Sequence, residues 1–321
     1  MKNIIYILLA LVMVSFGCSR TVESSGPDIC PTEKFDITGL LLVKAVSDNS
    51  ATQVNLLDDY ANISAAFNEV VSWRVVVTGT VSGAVTSYAG KSNAVNLSWY
   101  GQPTGSVFFK QGELVTFNLY VSCTTEPKNS AQITITTNAG LSQFGHVLTN
   151  FEDTNPYGGV YSKYPLNPAV QTLFTPSTGG YNGSPQGENY LRFACTANPD
   201  SLTWYFGGFG FNAPFVEALA GTLPANPNDV YINVLTRGSA NSQAQFILQE
   251  ELLGNNLKRK FLVTVGSEWT LSSARLSDIG IIDPTQIKLF DVNLGAATAK
   301  ANNASVEIDL IIFTEGKPLG Q

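Results

Sequence analysis

Residues 230–249 read VYINVLTRGSANSQAQFILQ, and the alternation inside them decides the fold. Tyr231, Asn233 and Arg237 share one face of an extended run, opposite Ile232 and Val234. After a break of Gly, Ser and Asn the pattern resumes, with Gln245 and Gln249 opposite Phe246 and Leu248. Successive side chains on a strand point to opposite faces, so each run is a strand with one apolar face. A third run, 190–196, sets Tyr190 and Arg192 against Leu191, Phe193 and Cys195.

Working outward, residues 131–316 carry further β-type runs at 202–206, 261–265, 269–271, 286–293 and 306–313, with one short helical stretch at 213–220. That is enough for two packed sheets, as in a jelly roll. Residues 33–125 carry a smaller set, at 40–46, 73–78, 95–99 and 114–121, bounded by Gly, Asn, Ser or Pro. Their spacing predicts a small sandwich, and the alternation of Trp73, Val75 and Val77 puts Trp73 in its core. Residues 126–130, EPKNS, read as the linker, and AQITITT at 131–137 as the first strand of the second domain. The fold class is all-β, two sandwiches in series. Only 13% of residues are charged and Val/Ile/Thr runs are many, which agrees. At 321 residues the chain is long enough for both domains.

Three strands thus each offer a polar or aromatic face backed by an apolar one. If they are neighbours, Tyr190, Arg192, Tyr231, Asn233, Arg237, Gln245 and Gln249 form one wall. Aromatic faces pack against C–H patches and planar polar groups bond hydroxyls, so such a wall suits a neutral, hydroxyl-rich ligand. A solvated sheet face has the same pattern. Tyr205 stands in the densest aromatic run, WYFGGFGF at 204–211, which serves either as a stacking platform or as core. Trp99 at a strand end is expected to pack rather than bind.

The first twenty residues, MKNIIYILLALVMVSFGCSR, have the form of a secretory signal: Lys2, an apolar run at 4–16, then Gly17 and Cys18. The run is shorter than the ~20 residues a membrane-spanning helix needs. Residues 1–17 are expected to be cleaved and 18–32 to form a Ser-, Gly- and Pro-rich tether. Secretion permits disulfides, and a Cys30–Cys123 bridge would close the two ends of the first domain; two free thiols are the alternative. Cys195 reads as a buried small hydrophobe.

The net charge is −7 and no basic cluster exists, which excludes a nucleic-acid partner and adsorption to anionic lipid. Enzyme signals are weak. The single histidine, His146, has no G-x-S-x-G companion. Glu250 and Glu251 are adjacent and point to opposite faces, and Glu188 and Glu217 lack a supporting motif. No Cys/His spacing suggests zinc.

Ser15-Phe16-Gly17-Cys18 resembles a bacterial lipobox, although the commonest form has Leu three places before the cysteine. The resemblance implies acylation of Cys18; an ordinary cleaved signal with a free Cys18 thiol is the other reading. Asn150-Phe151-Glu152-Asp153, Glu268-Trp269-Thr270-Leu271, Leu276-Ser277-Asp278-Ile279, residues 287–294 and the closing Val306-Glu307-Ile308-Asp309-Leu310-Ile311 are similar to the galactose-binding-like jelly rolls that include many carbohydrate-binding modules. Trp99-Tyr100-Gly101, Gly105 and Gln111-Gly112-Glu113 resemble bacterial Ig-like modules, usually spacers. Together they resemble surface glycan-binding lipoproteins of Bacteroidetes-type polysaccharide uptake systems. That implies a non-catalytic, lipid-anchored outer-membrane protein that captures polysaccharide or oligosaccharide beside an uptake complex. The jelly-roll resemblance also implies a structural calcium where the first and last strands meet, held by Glu152, Asp153 and Asp309; strand-end carboxylates capped by backbone amides or water are the alternative. A structural or adhesive surface protein with protein partners, such as a fimbria-like subunit or complex scaffold, is the second reading. The polar end at 314–321 argues against donor-strand exchange.

Overall fold

The computed structural model describes residues 36–102, 105–122, 124–152, 161–165, 170–176, 183–195, 205–240, 242–296 and 304–321. The signal, the tether, Cys18, Cys30, Cys123 and Asp153 lie outside the described residues, as do the side chains of Cys195 and Tyr205. Residues Asp36–Gln321 form one compact unit.

Its N-terminal module is a six-stranded sheet: β1 (Ile37–Ala45), β2 (Gln53–Asn55), β3 (Ala61–Gly79), β4 (Val85–Trp99), β5 (Leu114–Val121) and β6 (Asn129–Thr137). The long β3 pairs with β1 over its first half, with β5 over its second, and with β4 on its other edge. Trp99 is fully buried, meeting Phe109 and Phe117 edge-on at 5.0 and 5.2 Å. Trp73, expected in this core, is only half-buried. Its Nε1 donates to Ser92 Oγ at 2.8 Å, and its ring lies across β4 at Gly90, where a Cβ would collide with it.

The expected linker and the expected first strand of the second domain belong to this module. β6 pairs antiparallel with β5, Leu114 opposite Thr134 and Leu119 opposite Asn129, so residues 126–130 connect two strands of one sheet. The alternation of AQITITT states that a strand forms, not which strand it joins. Ile133 and Ile135 settle that by burying themselves in the module's core.

The C-terminal part is a two-sheet sandwich, as the sequence predicts. It adds β7 (His146–Thr149), β8 (Tyr161–Pro165), β9 (Val170–Pro176), β10 (Asn189–Cys195), β11 (Tyr205–Phe211), helix α1 (Ala213–Ala220), β12 (Val230–Gly238), β13 (Ser242–Leu252), β14 (Asn255–Thr264), β15 (Thr270–Arg275), β16 (Ile287–Ala296) and β17 (Ala304–Glu315). One sheet runs β15-β12-β17-β10-β9, with β7 also on β17; the other runs β14-β13-β16-β11-β8. Phe193, Ile232 and Phe313 from the first sheet meet Phe209, Phe246 and Phe290 from the second. Burying such side chains contributes roughly 1.5–3 kcal/mol each.

Candidate functional site

The wall expected from alternation divides between the two sheets. Tyr190 and Arg192 on β10 and Tyr231, Asn233 and Arg237 on β12 lie in the first sheet, on either side of β17. Gln245 and Gln249 on β13 lie in the second. The three strands are therefore not neighbours.

The first-sheet half of the wall is consumed by the protein itself. Its outer face carries a buried cluster in which Tyr190, Leu235, Trp269, Leu310 and Ile312 meet Phe108 of the N-terminal module and Leu319 near the C-terminus. Asn233 is fully buried. Its Nδ2 donates to Thr314 Oγ1 at 2.9 Å and to Ile312 O at 3.3 Å, and its Oδ1 accepts from Ser273 Oγ at 2.7 Å and Leu319 N at 2.9 Å. Arg237 Nε donates to Glu307 Oε2 at 2.6 Å, and its guanidinium sits 4.7 Å over the Trp269 ring. Arg192 Nε reaches the other Glu307 oxygen at 3.0 Å. Tyr231 Oη accepts two bonds from Arg275, at 2.9 and 2.6 Å. Each polar group expected to meet a ligand here already has an internal partner. Signals for this were present. Leu235 shares the Asn233 face, and Leu310–Phe313 is apolar on both faces, the pattern of a strand covered on both sides.

The outer face of the second sheet keeps its polar character. Cross-strand partners share a face. Gln245, Asn293 and Gly208 therefore form one row across β13, β16 and β11, with Tyr164 of β8 in register opposite Gly208. Ile247, Asp291 and Gly210 form the next row, and Gln249 stands opposite Lys258 of β14. A Cβ at Gly210 would collide with Asp291 Oδ1, so glycine lets that carboxylate lie over β11. Burial pushes the Asp291 carboxyl up, against the pull of Lys258. Tyr205 also belongs to this sheet, its Cα opposite Gly295.

The structure does bring Glu152 and Asp309 into one cluster. Asp309 is the extra residue of a bulge, since Leu235 pairs with Leu310 and Thr236 with Ile308. Its Oδ2 accepts from Ser184 Oγ at 3.0 Å and Gln186 N at 2.9 Å, while Oδ1 is buried without a partner. Burial pushes its carboxyl well above the usual range. Glu152 accepts from the backbone N–H of Glu188 and Asn189, and burial pushes it up as well. Lys110, from the N-terminal module, donates to Ser184 O at 2.7 Å and feels Asp309, Glu113 and Glu152; burial lowers its own pKa. Calcium wants roughly six to eight oxygens. Among the described residues no group of three or more metal-type ligands forms, and Lys110 brings a positive charge to Glu152 and Asp309; Asp153, the third expected ligand, lies outside them.

The enzymatic candidates are also occupied. His146 Nε2 lies 2.9 Å from Glu315 Oε1 and Nδ1 lies 2.8 Å from Thr222 Oγ1, but that hydroxyl donates its proton to Leu219 O at 2.7 Å. It is not poised as a nucleophile. Glu250 is fully buried and accepts from Ile282 N and Asp283 N at 2.8 Å each, whereas Glu251 is exposed.

No protein-family model matches the chain, and no curated protein matches it in sequence. Solved structures that it resembles include carbohydrate-binding modules. One is the family 11 module from Clostridium thermocellum in complex with a β-1,3-1,4-mixed-linked tetrasaccharide, at 14% identity over 55% of this chain and 97% of that chain, TM-score 0.35. Another is TmCBM61 in complex with β-1,4-galactotriose, at 14% identity over 53% of this chain and 98% of that chain, TM-score 0.34. An arabinose-bound α-L-arabinofuranosidase, MgGH51, is also similar, at 13% identity over 56% of this chain and 27% of that chain, TM-score 0.34. Likeness at this level carries no residue of those proteins across to this chain.

Proposed function

We propose that the protein is a non-catalytic, lipid-anchored surface protein that holds a neutral polysaccharide or oligosaccharide on the outer face of the β14-β13-β16-β11-β8 sheet. Cys18 is the anchor and the N-terminal module a spacer, placing that face beside an outer-membrane uptake complex. The observation that carries the binding role is the row of Gln245 and Asn293, two planar amides side by side, next to the side-chain-free Gly208. Amides bond sugar hydroxyls. The engaged His146 and Glu250 favour binding over hydrolysis.

Affinity electrophoresis of the full chain through neutral polysaccharide gels tests this. Wild type should be retarded, and Gln245→Ala should be retarded less than wild type with an unchanged melting curve. Retardation of Gln245→Ala equal to that of wild type would remove this face from the function.

A further inference from the structure

An open cavity of about 730 Å³ lies between the N-terminal module and the C-terminal sandwich, and a second, of about 710 Å³, opens beside it between residues 142–147 and helix α1. Gln143, Phe144 and Glu315 line both, so the two adjoin. Either volume falls within the roughly 300–1,000 Å³ usual for ligand sites. None of the residues assigned to the proposed function line the cleft.

The larger cavity has a prepared wall. The Tyr100 ring stacks on Tyr60, centroids 4.7 Å apart, which fixes its plane. Gln102 Oε1 accepts from Tyr100 N at 2.9 Å, and Gln102 Nε2 donates to Tyr88 Oη at 2.8 Å. Ring, amide and phenol are thus locked to one another before any ligand arrives. Burial pushes the Tyr88 hydroxyl up to about 12, so it stays a neutral donor at every ordinary pH. The floor is pinned as well: Leu319 is buried, its N–H bound to Asn233, and Thr314 Oγ1 donates to Lys317 O at 2.7 Å. The charged side chains lining this cavity are Glu315 and Lys317, one of each sign.

A rigid aromatic plane, an oriented amide, a phenol that stays protonated and a balanced charge together select a neutral, polyhydroxylated ring compound. A charged peptide or nucleic acid would find no field to pair with. We propose that this cleft is a second saccharide site, with Tyr100 as the stacking face and Tyr88 and Gln102 as the hydroxyl-binding pair. The cleft takes the ligand class of the proposed function but none of its residues, so the two sites can fail separately.

Isothermal titration of the full chain with a panel of neutral cello-, xylo- and galacto-oligosaccharides, alongside Tyr88→Phe, Tyr100→Ala and Gln245→Ala, tests it. The expected result is two sites per chain, one weakened about tenfold by Tyr100→Ala. Tyr88→Phe removes one oxygen and keeps the ring, so it should weaken the same site without a folding defect. Gln245→Ala should leave that site intact. A single site lost in Gln245→Ala and untouched by Tyr88→Phe and Tyr100→Ala would overturn the cleft and keep the proposed function. A single site with the opposite response would keep the cleft and overturn the sheet-face assignment. No binding by wild type to any sugar of the panel would overturn both.

Discussion

The two outer faces of the C-terminal sandwich begin from the same kind of sequence. Both belong to strands that alternate polar with apolar residues. On the β12 side the polar face also carries Leu235, and its neighbour β17 adds Leu310 and Ile312, so apolar area draws in Phe108 and Leu319. On the β13 side the corresponding positions hold Gln243, Gln245 and Gln249 around a single Ile247, with Asn293 and Asp291 across the ladder. The lesson is that a few apolar side chains on a mostly polar face decide whether it becomes an internal joint or an outer surface.

That contrast can be broken most forcefully at Trp269. It is nearly buried, stacks edge-on with Tyr190 at 5.4 Å, and its Nε1 donates to Gly183 O at 2.7 Å. Trp269→Ala should destabilise the chain by about 3–5 kcal/mol in a urea titration. Next comes Asn233→Ala, which strands the donors and acceptors of Leu319, Ser273 and Thr314, at about 2–3 kcal/mol. An Asn233 variant with wild-type stability would mean that the β12 face is open.

How much of this was legible depends on what a residue's neighbours in sequence can report. Alternation is local, so the strands and the two-sheet architecture were readable from runs such as 230–249. Partner choice is not local. Nothing inside AQITITT distinguishes β5 as its neighbour, and nothing inside QAQFILQ separates β13 from the sheet of β10 and β12. Glu152 and Asp309 were readable as a meeting of the domain's first and last segments, but the arrival of Lys110 from the other module was not.

The carboxylate cluster gives a pH test. Burial raises the folded-state pKa of Asp309 above its unfolded value. Between those two values the native chain holds a proton that the unfolded chain releases, so this group's contribution is fully present below the unfolded pKa, about 3.9, and declines as pH rises through the raised one. Asp309→Asn keeps an oxygen acceptor for Ser184 and Gln186, and should flatten that decline in melting temperature. Dialysis against a chelator should leave the wild-type melting curve unmoved; a drop would mean that a cation is held with Asp153 after all. The smallest effect concerns the β13–β14 turn, where Leu253 is fully exposed with φ 52°. Leu253→Asn should add about 0.5–1 kcal/mol, because asparagine tolerates that left-handed backbone.

Hydroxyl-radical footprinting of the full chain, with and without a retarding neutral polysaccharide, tests the contrast between the two faces most directly. Tyr190 and Trp269 should resist labelling in both conditions, while the exposed Leu262, in the row of Gln245, should be labelled when free and protected by the sugar. Strong labelling of Tyr190 and Trp269 that the polysaccharide suppresses, with Leu262 unaffected, would contradict it.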